Sequence, residues 1–86
     1  MGMQNFEDWY KLVSDKNVLR ILFYLEKYNP AVRIKDLKNN LKLNEESIKE
    51  IISKLAKENM LVIQDTEFIE LTERGRVAVE RLMTIA

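Results

Sequence analysis

Asn44-Glu45-Glu46-Ser47-Ile48-Lys49-Glu50-Ile51-Ile52-Ser53-Lys54-Leu55-Ala56-Lys57-Glu58-Asn59 is the stretch on which the reading of this chain turns. Its apolar residues fall at 48, 51, 52, 55 and 56. That is the i, i+3, i+4, i+7 spacing of a helix with one buried face. Asn44 stands where an N-cap belongs, its side-chain oxygen able to accept from the first-turn amides. Asn59 is suited to end the helix, because Asn tolerates a left-handed conformation. One face goes into a core and the other is on offer, so function depends on what that second face touches.

Downstream, Met60-Leu61-Val62-Ile63-Gln64 is apolar and β-branched, Asp65-Thr66-Glu67 is a polar turn, and Phe68-Ile69-Glu70-Leu71 is a second strand. Two such runs with a short polar link predict a β-hairpin. Ile69 and Leu71 share one face, Phe68 and Glu70 the other. Thr72 is placed to cap a last helix with an apolar stripe at Val79, Leu82 and Met83. Gly75, near its start, is read as a point of close packing.

Upstream, Lys35 to Leu41 predicts a short helix with Ile34, Leu37 and Leu41 inward. About three or four residues separate it from the 44–59 helix, within the range of a helix-turn-helix. Ala31 to Ile34 reads as a brief extended segment. Val18 to Tyr28 is the most apolar segment and predicts the central core helix, capped by Ser14 or Asp15 and stopped before Asn29-Pro30. Phe6, Trp9, Tyr10 and Val13 again have helical spacing. This N-terminal stripe and the C-terminal one either close the chain's own core or pack on a second chain, since aromatic patches mark interfaces.

Composition narrows the function. The 86 residues are 47% hydrophobic and 33% charged, which fits a single globular domain spanning 1–86. The chain has no Cys and no His, so disulfides, thiolate or imidazole metal sites and the usual nucleophile–base pairs have no residues to work with. Two Gly provide no phosphate-cradling loop. The expectation is a protein that is not an enzyme and takes no cofactor or metal. No apolar run approaches a membrane span and no signal-peptide layout is present, so a cytoplasmic location without a membrane partner is expected.

Net charge is zero but unevenly spread. Arg33, Lys35, Lys38 and Lys42 face Asp36 alone, whereas residues 59–71 carry Asp65, Glu67 and Glu70 with no base. The basic cluster reads either as a phosphate-contacting surface or as an ordinary solvated face. The 44–59 helix holds Glu45 with Lys49 and Glu50 with Lys54, the favourable i, i+4 order found on any exposed helix.

The predicted order is an α+β, mostly α architecture: a three-helix core with a β-hairpin and flanking terminal helices. Three stretches within residues 14–83 give it a specific resemblance. Asp15 to Leu25 resembles the first core helix of MarR-, ArsR- and PadR-like transcriptional regulators. Ile34-Lys35-Asp36-Leu37 with Glu46 to Leu55 resembles their helix-turn-helix, and Leu71-Thr72-Glu73-Arg74-Gly75 the end of their wing. The resemblance implies a winged helix-turn-helix that binds double-stranded DNA and regulates transcription. It implies that the 44–58 helix reads the major groove, with Glu45, Glu46, Ser47, Lys49, Glu50 and Ser53 at base edges. Arg33, Lys35, Lys38, Lys42 and Lys54 would be phosphate contacts, which position without specifying. It also implies a homodimer, through Phe6, Trp9, Tyr10, Val13, Val79, Leu82 and Met83. A metal sensor of the ArsR type is not expected without Cys or His. The acidic wing tip and the paired Glu on the reading helix favour a different expectation, a winged-helix protein–protein interaction module that does not bind DNA.

Overall fold

The computed structural model of the chain describes residues 10–28 and 32–85. Residues 10–13 are helical and lead into α1 (Lys16–Tyr28). Then come β1 (Val32–Arg33), α2 (Ile34–Leu41), α3 (Glu45–Lys57), β2 (Leu61–Gln64), β3 (Phe68–Leu71) and α4 (Glu73–Ile85). Phe6, Trp9, the Asn29-Pro30 stop and Ala31 lie outside the described residues.

The ends of the helices follow the local chemistry. The Asp15 side chain accepts from the Asn17 amide at 2.8 Å and opens α1. Asp36, three residues into α2, accepts from the Arg33 amide at 3.1 Å, one half of a capping box. Asn44 caps α3 as expected, accepting from the Ser47 amide at 2.8 Å. At the other end of α3, Asn59 takes φ 60°. The Met60 amide then reaches the Leu55 carbonyl and the Asn59 amide the Ala56 carbonyl, both at 3.0 Å. This is a Schellman closure, with buried Met60 and Leu55 supplying its apolar contact.

The sheet order is β1-β3-β2, all antiparallel, with Leu61 opposite Leu71 and Val32 opposite Ile69. At the hairpin tip the Glu67 amide donates to the Gln64 carbonyl at 3.1 Å. Asp65 and Thr66 both have positive φ, 53° and 56°. That is the primed turn whose twist matches a hairpin. Asp accepts it readily, whereas a β-branched Thr is strained there.

The core gathers Ile21, Leu22 and Leu25 of α1, Leu37 of α2, Ile48, Ile52 and Leu55 of α3, and Leu61 and Ile69 of the sheet. Val79 of α4 joins them with 0% exposure. This corrects one expectation: Val79 is spent on its own core and has no surface left for a dimer. Leu82 packs against the same core half-buried, as does Val13. Met83 and Tyr10 stay exposed at 57% and 66%, so of the expected interface residues that are described these two keep the most exposed surface.

A backbone junction locks α3 to α4. Thr72 accepts from the Gly75 amide at 3.0 Å and donates to the Asn59 carbonyl at 2.6 Å, while its own amide donates to the Met60 carbonyl at 3.0 Å. A Cβ at Gly75 would stand 2.0 Å from the Met60 carbonyl oxygen. The close-packing reading of Gly75 therefore holds.

Candidate nucleic-acid interface

The candidate interface is α2, the three residues Lys42 to Asn44, and α3. Lys42 makes the turn by adopting a left-handed conformation, φ 58° and ψ 37°. Nothing about a Lys announces that conformation. The last carbonyl of α2 is capped from a distance: the Arg20 guanidinium of α1 donates to the Leu41 carbonyl at 2.7 Å. Nearby, the Asn40 amide group donates to the Tyr24 hydroxyl at 2.6 Å. These two bonds from α1 fix where α2 ends and hence where α3 begins. Their partners are 21 and 16 residues apart, so local periodicity could not show them.

The residues expected at base edges divide into three sets. Glu45 and Lys49 lean toward α2, where Glu45 pairs with Lys49 at 3.2 Å and with Lys38 at 3.6 Å. Glu46 and Ser53 stand exposed on the outer face. Ser47 and Glu50 line a groove of about 590 Å³ between α3 and residues 11–18, and Lys54 beside them pairs with Glu50 at 3.7 Å. The i, i+4 pairs read from the sequence are thus present. The Lys38–Glu45 contact, between α2 and α3, is an addition.

The Lys49 ammonium, hydrogen-bonded to Glu45, is the main reason the Glu45 carboxyl lies below its ordinary value of 4.5; the charges of Lys49 and Lys38 act in the same direction. The Glu45 side chain is 55% exposed, so such pairs are easily exchanged for other partners. Among the described residues, Lys35 and Lys42 have no ion-pair partner. Both can meet an anion without first releasing a carboxylate.

The Arg33 backbone caps α2, but its side chain belongs with the hairpin. Arg33 lies on β1 directly opposite Phe68, with its guanidinium carbon 5.1 Å from that ring's centre. The hairpin tip has no base, but the sheet behind it does. Sequence reasoning placed Arg33 in the basic run before α3, because the pairing of β1 with β3 spans more than thirty residues of chain.

Among solved structures, the chain resembles the structure of the transcriptional regulator homologue protein from Pyrococcus horikoshii OT3. The likeness covers 91% of this chain and 88% of that one, with a TM-score of 0.66 and 17% sequence identity. The fold is a winged helix-turn-helix. α2 and α3 are its helix-turn-helix, and β2 with β3 its wing. No family model and no curated protein matches the sequence, so the likeness is one of fold. No described helix is long and apolar enough to cross a membrane, and no cluster of three potential metal ligands occurs among the described residues.

Proposed function

We propose that the chain is a DNA-binding transcriptional regulator that reads the major groove with α3 and acts by occupying its site, without a catalytic step. One observation carries the reading: a winged helix-turn-helix whose α2 and following turn present Lys35 and Lys42, which have no ion-pair partner among the described residues, beside an exposed α3 face. In this fold the first helix of the pair crosses the backbone and the second enters the groove. The ion pairs remove much of the electrostatic objection raised by the acids of α3. Glu45 and Glu50 are already matched by Lys38, Lys49 and Lys54. Exposed pairs of this kind are worth only about 0.2–1 kcal/mol, so a phosphate can take over the lysines. Glu46, at the outer centre, is placed to accept from a cytosine amino group. Arg33 is the cation the wing would bring to the backbone. Two copies would join through the exposed surface of Tyr10 and Met83.

The test is binding to random duplex DNA across a salt series, followed by anisotropy. Affinity should fall linearly with the logarithm of salt, and Lys35→Ala with Lys42→Ala should flatten the slope by about 1.8, roughly 0.9 per lost phosphate contact. A chain that does not bind even at low salt is no DNA regulator. A second reading, a protein–protein module, is favoured by one feature: the wing exposes Val62 and Ile63 at 43% and 44% beside the acids Asp65 and Glu67.

A further inference from the structure

A second groove, of about 650 Å³, lies on the far flank of α2, between it and the C-terminal half of α1. Its apolar wall is Phe23 and Tyr28, exposed at 36% and 51%, with Leu41 beside them. The Tyr24 and Tyr28 rings meet at a tilt of 44°, with their centres 4.6 Å apart. The charged residues lining it are Arg20 and Lys27, with no acid among them. Lys27 stands 5.5 Å from the Tyr28 ring centre, and Arg20 has donors left after its bond to Leu41. The groove therefore fits a segment that is both acidic and apolar.

The chain's own wing is such a segment. The wing carries Asp65, Glu67 and Glu70 with no base, and exposes Val62 and Ile63 on β2. β2 is an edge strand, uncharged from Leu61 to Gln64 and without a proline, so it lacks the usual guards against association. Wing and groove also sit at the two ends of one short helix. The Ile34 amide, at the start of α2, donates to the Glu67 carbonyl at 3.0 Å, while the groove lies by Asn40 and Leu41 at the end of α2. An eight-residue helix spans about 12 Å. Both surfaces therefore lie within the length of one short helix on the same molecule.

We propose that the wing of one copy docks into the α1–α2 groove of a second copy, with Asp65 and Glu67 against Arg20 and Lys27 and with Ile63, the exposed apolar residue nearer the tip, against Phe23 and Tyr28. The contact needs no DNA and uses a different surface from the Tyr10 and Met83 one named above, so the charge reversals below separate the two. A contact this small gives weak association, visible at micromolar concentrations and above.

Sedimentation equilibrium of the full chain without DNA tests it. Lys27→Glu alone, and Asp65→Lys with Glu67→Lys together, should each weaken self-association about tenfold, equivalent to about 1.4 kcal/mol. An equimolar mixture of the two variants should recover association, because the reversed wing now meets the reversed groove. All three positions are exposed, and unchanged circular dichroism melting confirms that the variants remain folded. The proposal is overturned by a wild type that stays monomeric to high micromolar concentration, by reversals that leave the mass unchanged, or by a mixture that recovers nothing. The first result would leave the groove to an acidic segment of another protein; the second would assign any dimer to another surface, such as Tyr10 and Met83.

Discussion

The two ends of α3 are held in opposite ways. The C-terminal end is fixed by backbone: left-handed Asn59, the buried Met60 and a carbonyl pressed against Gly75. The N-terminal end is fixed by exposed side chains: the Asn44 cap and the Lys38–Glu45–Lys49 cluster. Buried backbone contacts admit one arrangement, whereas exposed ion pairs exchange partners at little cost. A helix anchored at one end and adjustable at the other suits a reading element, because the adjustable end is the one this fold presents to a groove. The contrast also separates stability from recognition: changes at the far end should unfold the chain, and changes at the near end should alter binding while the fold persists.

The largest effect should come from Gly75→Ala. The new methyl group would stand 2.0 Å from the Met60 carbonyl oxygen and 2.9 Å from its carbon, and backbone there cannot swing aside. Ala favours a helix over Gly by about 1 kcal/mol, so propensity alone predicts stabilisation. Overpacking should win, with a net loss of about 2–3 kcal/mol of unfolding free energy by urea denaturation. A variant as stable as wild type would show that the α3–α4 junction is slack and would erase the contrast.

How much of this was legible follows from range. The amphipathic period of α3, its Asn44 and Asn59 ends, the hairpin and the cap at Thr72 are written in residues close in sequence, and all were read correctly. The role of Gly75 was readable as packing, though not its partner, Met60. Three features were out of reach. Arg20 acts on Leu41 across 21 residues, and Arg33 joins the wing because β1 pairs with β3. Lys42 and Thr66 adopt left-handed conformations that their side chains do not advertise. The candidate site was only partly legible for the same reason. A helical wheel finds the outer face of α3, but it does not reveal that Glu45 turns to Lys38 of a neighbouring helix, or that Val79, in one stripe with Leu82 and Met83, is the member swallowed by the core.

A smaller effect is expected from Asn44→Ala, which leaves the Ser47 amide without its protein acceptor at the near end. N-cap losses of this kind cost about 1 kcal/mol. The sharper readout is where the loss is felt. Amide exchange should quicken in the first turn of α3, at Ser47 above all, while the amides of Asn59 and Met60 keep their protection relative to the global unfolding limit. Equal acceleration at both ends would mean that α3 responds as a single unit and that its ends are not independently held.

The mildest perturbation is acid, and it should act on one end alone. Lys49 and then Lys38 hold the Glu45 carboxyl below its ordinary 4.5. A carboxyl depressed in the folded state adds stability above its unfolded value and loses it as pH falls through the folded one. Lowering the pH from neutral should therefore leave the cluster intact down to about 4.5 and dissolve it below, as Glu45 takes up its proton. The far lock, built from Asn59, Met60, Thr72 and Gly75, contains no group that titrates there. Carbon-detected titration of the Glu45 carboxyl should give a midpoint below that of the same residue in an unfolded peptide, and Lys49→Ala should move it upward more than Lys38→Ala does. A midpoint indifferent to Lys49 would mean that the pair does not persist in solution. α3 would then meet DNA with Glu45 unmatched by Lys49, and Lys49 would join Lys35 and Lys42 among the lysines that have no carboxylate to release.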